Sequence, residues 1–347
     1  MNSDKNIGTL YSRRSMLGLL GITKLALASS QADRVLQPQF RASTKLLPQR
    51  QVSRSWKPWA WRKVSSIGFA QGLEGPAYSH ICHEDKLVVL DAIRYAVQEI
   101  SPAGRINGSV ALTPAILLQS SMPLTAIAPQ EDGTTWICNP NGSVVGFLRD
   151  GRVQRTLPHD VKAMRLDVSK DRLIVTLVNS NQLFAIYTTN GQIVKKFGEF
   201  LENQNQMPLL VDGWLTVDEL QQSFFFAPRY AGFLASYGLD GTQRFLVQTM
   251  DASPLPRFRL NEKGALLFPS LSKKVSYLAS REGKLYVLMN QQGSSLDDKQ
   301  NSSLDIYDSS DGSYLFSTIL PGHYTEIAMG SNTVYTLGAN GIDVWKR

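Results

Sequence analysis

A chain of 347 residues, 43% hydrophobic with six Trp, fourteen Phe and twelve Tyr, can bury the core of one large all-β domain or two ordinary ones, which excludes an intrinsically disordered protein. The formal net charge of +7 sits at one end: residues 1–70 carry twelve Lys or Arg against Asp4 and Asp33, and residues 71–347 are slightly acidic. The body therefore offers no basic face for nucleic acid, and two cysteines, Cys82 and Cys138, cannot staple a small secreted scaffold, although one bridge or two buried thiols both stay open.

The chain opens on a leader. Ser12-Arg13-Arg14-Ser15-Met16-Leu17 places two arginines before a short apolar run, Met16–Ala28, that Gly18, Gly21, Thr23 and Lys24 interrupt. That run is too short and too weakly apolar for a span, which needs about 20 apolar residues. Small residues follow at Ala26-Leu27-Ala28 and Ser30-Gln31-Ala32, both of the A-x-A cleavage type. The stretch resembles bacterial twin-arginine export signals, with Met16 where an aromatic residue is commoner. The resemblance implies a signal over 1–32, with Arg13 and Arg14 read by the exporter, and a protein delivered folded to the periplasm or cell exterior. An organelle transit peptide and an uncleaved anchor are the alternatives; in every case membrane contact is expected only through this leader.

Residues 33–55 have no sustained period and read as a basic flexible linker, mobile unless something holds it. In WKPWAWRK (56–63), Trp59, Trp61 and Lys63 alternate with Ala60 and Arg62, the period of a strand. The propeller domain described next is assigned to 56–347.

Past residue 75 one unit recurs: an apolar strand, a turn carrying Gly, and a further strand. The turns centre on Gly104, Gly151, Gly191, Gly241 and Gly312, and a large residue stands four positions ahead of each of the first four (Ile100, Phe147, Tyr187, Tyr237) and five ahead of the last (Tyr307). Asp-Gly and Asn-Gly turns of this kind predict hairpins in which both turn residues take positive φ. Spacings near 40–50 residues predict propeller blades, and the repeated large residue predicts a core position between stacked blades. The second strands, such as KLVVL (86–90), RLIVTLV (172–178) and SFFFA (223–227), are apolar on both faces, as sheets packed on two sides require. Five complete units and three C-terminal strands leave one strand to be supplied from the Trp59–Ile67 stretch. The fold expected is a six-bladed all-β propeller of four-stranded antiparallel blades, closed by pairing of N- and C-terminal strands. A seventh blade would have to hide in 251–275.

On this blade pattern, residues 60–347 resemble the six-bladed propellers of the TolB-like and NHL-repeat type. The resemblance is specific for architecture and places no catalytic motif: G-x-S-x-G, H-E-x-x-H, a phosphate loop and a calcium loop are all missing from the sequence. Ligand-binding candidates are Arg229 and Tyr230 in a tight turn, Arg257 and Arg259 in a long inter-blade insertion that also holds Lys263, Lys273 and Lys274, and His159, Asp160, His323 and Tyr324 just ahead of inner strands. The expected protein is an exported, monomeric, non-enzymatic propeller that binds a partner protein or small ligand through one rim, without a cofactor. The alternative is a lyase or lactone hydrolase with a divalent metal in the channel, held by His80, His159 and His323.

Overall fold

A computed structural model of the chain describes residues 34–36, 38–68, 71–81, 85–120, 124–158, 160–178, 180–202, 212–260, 266–267, 273–289 and 301–347. The leader, Cys82, His83 and His159 lie outside them. Three strands, β1 (Arg34–Leu36), β2 (Trp56–Lys57) and β3 (Arg62–Gly68), precede five blades formed by consecutive strands. Blade 1 is β4 (Pro76–Ile81), β5 (Leu87–Asp91), β6 (Ala96–Ile100) and β7 (Ile106–Ala111). After the short helix α1 (Pro114–Ser120), blade 2 is β8 (Ala126–Pro129), β9 (Thr135–Cys138), β10 (Val145–Phe147) and β11 (Val153–Thr156). Blade 3 is β12 (Ala163–Ser169), β13 (Arg172–Leu177), β14 (Phe184–Thr188) and β15 (Ile193–Phe197), and blade 4 is β16 (Gly213–Asp218), β17 (Ser223–Pro228), β18 (Phe233–Gly238) and β19 (Gln243–Gln248). The insertion that follows supplies β20 (Phe258–Leu260) and β21 (Leu266–Leu267), which form a small sheet with β1 and not a seventh blade. Blade 5 is β22 (Val275–Arg281), β23 (Lys284–Met289), β24 (Ser302–Asp308) and β25 (Tyr314–Leu320). Blade 6 takes β26 (Tyr324–Met329), β27 (Thr333–Gly338) and β28 (Gly341–Lys346) from the C-terminus and β3 as its outer strand, so the ring closes between the two ends of the chain.

Apolar residues on both faces of the middle strands pack into six clusters, one at each blade junction. Val88, Leu90 and Val97 of blade 1 meet Ile137, Val145 and Phe147 of blade 2, and Ile67, Tyr335 and Val344 of blade 6 meet Leu87, Val89 and Ile100 of blade 1. The densest lies between blades 3 and 4, where Phe184 stands edge-on to Phe224, Phe226 and Tyr237 at 5.2–5.3 Å. Burying each such ring is worth about 1.5–3 kcal/mol, so this junction alone outweighs any surface ion pair.

The recurrent large residue is a core position at a β-bulge. Ile100, Phe147, Tyr187, Tyr237 and Tyr307 are all buried, and in each the ladder to the outer strand shifts register at that residue. Blade 6 has the same bulge between Val344 and Trp345, which makes buried Trp345 the sixth member. It has no Gly turn after it because its outer strand comes from the N-terminus.

The turns themselves differ from expectation. The five glycines take φ of 72–88°, but Asp150, Asn190, Asp240 and Asp311 before them do not have positive φ. The aspartate side chains bond forward to the backbone instead, Asp150 accepting from Arg152 N (3.0 Å), Asp240 from Thr242 N (2.8 Å) and Asp311 from Ser313 N (2.8 Å). Only the glycine is left-handed, which is the longer hairpin loop ending in a bulge. Each turn also docks on the previous blade: a Cβ on Gly312 would stand 2.7 Å from Phe245 Cε2 and 2.8 Å from Val247 Cγ2.

Residues 38–55, within the segment 33–55 read as a linker, together with Trp56 and Lys57 form a strap along the blades. Phe40 bridges to Leu201 and lies edge-on to Phe233, Leu47 bridges to Val247, and Gln49 donates to the carbonyls of Gln248 (2.8 Å) and Gly312 (2.9 Å). Arg54 reaches Asp305 and Asp251, and β2 runs parallel to β25 on the edge of blade 5. Trp59 and Trp61, expected in a strand, precede β3 and pack with Trp345 in the cluster between blades 5 and 6. The strap thus crosses the junctions of blades 3–4 and 4–5, and Trp59 and Trp61 fill the blade 5–6 junction, which lacks a docking turn.

Candidate functional site

The six inner strands β4, β8, β12, β16, β22 and β26 run side by side and start at one face. Each inter-blade connection delivers its next strand at that face, and the longest by sequence are 112–125, which holds α1, 198–212 and 249–274. On the opposite face a shallow cleft of about 380 Å³ is lined by turn residues of blades 3 and 4, among them Lys170, Arg172 and Asp240.

At the loop-bearing face, four inner strands bulge near their start: between Ala77 and Ser79 in β4, between Ala163 and Arg165 in β12, between Val275 and Tyr277 in β22, and between Tyr324 and Glu326 in β26. A bulge bends the strand and re-aims the next side chain. Arg165, Tyr277 and Glu326 therefore hold the same position in blades 3, 5 and 6. Arg165 is 4% exposed and spans the entrances of its two neighbours: its Nε donates to Gly213 O (2.9 Å), one Nη to Thr125 O, and the other to Asp212 Oδ1 (3.1 Å). Asp212, fully buried, also faces Arg229 Nη1 at 3.4 Å. The Arg229 backbone accepts from Lys274 N (2.8 Å) and Val275 N (3.2 Å) and donates to Asp212 O (2.8 Å), tying blade 4 to the entrance of blade 5.

The ring of Trp214 lies against both guanidiniums, 4.4 Å from Arg165 Cζ and 5.1 Å from Arg229 Cζ, and its centroid is 4.5 Å from that of Tyr277. Lys273, one residue before this stitched entrance, feels the whole group. Burial pushes its ammonium down to about 8, and Arg229 and Arg165 push the same way against the opposing pull of Glu326 and Asp212. The channel mouth is thus a desolvated, net cationic cluster of Arg165, Arg229 and Lys273 with Asp212 and Glu326, floored by two aromatic rings.

The sequence candidates divide around this mouth. Arg229 belongs to it, and Tyr230 follows in the same turn, part-buried. Arg257 is exposed in the insertion, and Arg259 pairs with Val35 in the small sheet. Asp160 is exposed at the entrance to blade 3, next to His159. His323 is exposed at the entrance to blade 6, but Tyr324 turns into the blade 5–6 core, where its hydroxyl donates to Asp343 Oδ2 (2.7 Å). His80 pairs with Val88 near the far end of β4, whereas His323 directly precedes β26. Among the described residues no group of three His, Cys, Asp or Glu is placed to hold a metal. Cys138 is a free, buried thiol that burial pushes up to about 12, so it is no thiolate nucleophile.

Sequence reading passed over Arg165, Asp212, Trp214, Tyr277 and Glu326, and treated Lys273 only as one cation of a loop. Arg165, Tyr277 and Glu326 share a structural signal, the bulge at the strand entrance, which hairpins of unequal length hide from spacing counts, whereas Asp212 and Trp214 stand at the entrance of β16, which has no bulge.

No family model matches the sequence, and no curated protein matches it. Solved structures with the same architecture include a streptogramin B lyase (10% identity, 81% of this chain and 96% of that chain, TM-score 0.51) and virginiamycin B lyase from Staphylococcus aureus (13%, 82% and 98%, 0.50). BBS1N in complex with ARL6DN is similar at 14% identity over 84% of this chain and 97% of that chain, with a TM-score of 0.50. At such identities the likeness shows the propeller fold alone, a fold shared by lyases and by a protein solved with a partner.

Proposed function

We propose that the protein is an exported, non-enzymatic propeller of the TolB-like or NHL-repeat kind that takes a ligand or partner at its loop-bearing face, centred on the channel mouth. The observation that carries this is the convergence of three cations, two carboxylates and two aromatic rings from blades 3 to 6 at that mouth, on the face where the longest connections gather. Buried charges are costly to keep in a purely structural role, and such clusters concentrate at functional sites.

The test is a thermal-shift screen of acids, amines, sugars and peptides on the full chain, repeated on a mouth variant (Trp214→Ala) and on an opposite-face variant (Lys170→Ala). Stabilisation by a ligand that Trp214→Ala abolishes and Lys170→Ala keeps supports the rim; the reverse pattern overturns it. Stoichiometric zinc or calcium in the purified protein would overturn the non-enzymatic reading in favour of a channel-metal lyase or lactone hydrolase. Export is tested separately, by replacing Arg13 and Arg14 with lysine in a bacterial host with a working twin-arginine exporter. Loss of the extracytoplasmic product is expected, and undiminished export would sink that route.

A further inference from the structure

We propose that residues 38–68, the strap and the outer strand it leads into, form a docking band for an anionic lipid surface on the outer wall of blades 4 to 6. The band pairs with the outer strands β19 and β25 and, through β3, with β28. It is separate from the channel mouth and adds a second membrane contact to the one expected of the leader.

Charge is the first signal. Residues 38–68 hold seven Lys or Arg and not one Asp or Glu. Three of the seven are engaged with the body: Arg41 pairs with Glu199, Arg54 with Asp305 and Asp251, and Lys63 with Asp343. The other four, Lys45, Arg50, Lys57 and Arg62, are exposed, and among the described residues no carboxylate lies within ion-pair distance of them. Arg50 feels Asp311 only from beyond that distance. The fold therefore uses three of these cations and displays four, a number sufficient to hold a basic segment at an anionic leaflet.

Exposed apolar area is the second signal, and it lies in the same place. Eleven large hydrophobic side chains stand exposed among the described residues, and six of them are on this band or on the strand beneath it: Leu47, Val52, Trp56, Val64, Leu315 and Ile319. That clustering separates them from the single apolar residues every surface carries. Val52 is 97% exposed and Trp56 48%. Trp56 stands opposite Ser317 in the parallel pair of β2 and β25, so Leu315 and Ile319, two positions to either side, share its side of the sheet.

The two signals interleave. Lys57 Nζ stands 4.3 Å from the Phe316 centroid, and exposed Arg347 places its Cζ 4.8 Å from that of Trp61. Cations seated on rings, beside exposed tryptophan and aliphatic side chains, match the two layers of a membrane interface, with lipid phosphates outermost and acyl chains beneath. A nucleic acid or an acidic protein would satisfy the cations and leave Val52, Leu315 and Ile319 in water, so the apolar half selects lipid.

The probe is a phosphatidylcholine vesicle with one quarter phosphatidylglycerol, mixed with the full chain and sedimented, against phosphatidylcholine alone. Binding is expected to be at least about tenfold tighter to the anionic vesicle and to weaken as salt rises. Lys45→Gln/Arg50→Gln/Lys57→Gln/Arg62→Gln should bind at least about tenfold more weakly, with unchanged melting because none of the four is ion-paired. Val52→Ser/Trp56→Ser should keep the salt dependence and lose about fivefold or more. The leader has basic and apolar residues of its own, but residues 1–33 hold no tryptophan, and Trp56 is the exposed one of the six. Lipid brominated in its acyl chains should therefore quench the emission of the parent and spare most of that of Trp56→Phe, which still binds. Equal binding to both vesicles, or a charge variant that binds like the parent, would overturn the proposal. So would anionic binding without quenching, which assigns the contact to the leader. Polyglutamate and a single-stranded oligonucleotide are the competing polyanions. If either is bound as tightly as the anionic vesicle and Val52→Ser/Trp56→Ser changes nothing, the band belongs to an acidic protein or a nucleic acid and the lipid reading falls.

Discussion

Replacing Arg54 by Met tests whether the strap is part of the fold. Arg54 grips Asp305 with two bonds, Nε to Oδ1 at 3.0 Å and Nη2 to Oδ2 at 2.9 Å, and touches Asp251 at 2.7 Å. Asp305 is fully buried, with one further donor, the Ser317 hydroxyl at 2.6 Å. Met fills most of the space but leaves a buried carboxylate without its counterion, a loss of about 3–5 kcal/mol. The Asp251 arm is a rim contact, 34% exposed on the acid's side, so Asp251→Asn is expected to cost at most about 1 kcal/mol. Asp305→Asn removes the charge as well as the pair and costs about 1–3 kcal/mol. The double variant Arg54→Met/Asp305→Asn should therefore be more stable than Arg54→Met alone. Urea unfolding of the parent and the four variants, at a common m-value, reads these differences directly. An Arg54→Met protein within 1 kcal/mol of the parent, or no better with Asp305→Asn added, would mean that the strap is only laid on the surface.

Gly312→Ala meets both a left-handed backbone and the side chains of blade 4, so it should destabilise by about 2–4 kcal/mol, whereas Gly133→Ala, with φ of 88° and open space around it, should cost about 1–2 kcal/mol in the same assay. Trp345→Ala should cost about 3–5 kcal/mol, because the indole is 3% exposed and its Nε1 donates to Thr336 Oγ1 at 2.9 Å; a loss below 1 kcal/mol would refute its place in the bulge series. Lys273 gives a pH signature of stability. Below pH 8 both folded and unfolded chains hold the proton and the fold carries the full desolvation penalty; between about 8 and 10.5 only the unfolded chain holds it, so stability rises with pH. Lys273→Met should accordingly exceed the parent by up to about 3 kcal/mol at pH 7, with the gap closing toward pH 10.5, and a gap independent of pH would refute the shift.

The ring was legible because its signals are local and repeated. Glycine turns recur at blade length, and Ile100, Phe147, Tyr187, Tyr237 and Tyr307 mark the same bulge in five blades. Trp345 escaped because its turn is missing, a direct result of the closure that the Trp59–Ile67 stretch did foretell. The turn type was misjudged because Asp-Gly reads alike in two hairpin classes, and the forward bonds of the Asp side chains decide between them. The mouth was legible only at Arg229. Arg165 and Glu326 sit in strands that read as ordinary sheet, and their meeting depends on a bulge and on ring geometry that brings together residues over a hundred positions apart. The strap was opaque for a related reason: its contacts are single residues, Phe40, Gln49 and Arg54, with no period to announce them.

Blade 6 has an outer strand that is not the chain's next strand, and this makes the strap and β3, residues 38–68, exchangeable. A second copy could insert its own β3 beside β28 and its own Arg54 against Asp305, making the bonds already present in the monomer and needing no new complementary surface. The strap then acts as a latch that sets the barrier to exchange, since Phe40, Gln49 and Arg54 must all let go before β3 can leave. Variants that weaken the latch, Arg54→Met foremost, should yield a strand-swapped dimer that accumulates with protein concentration and resolves on dilution only as fast as the ring reopens, an outcome that size-exclusion chromatography reads directly.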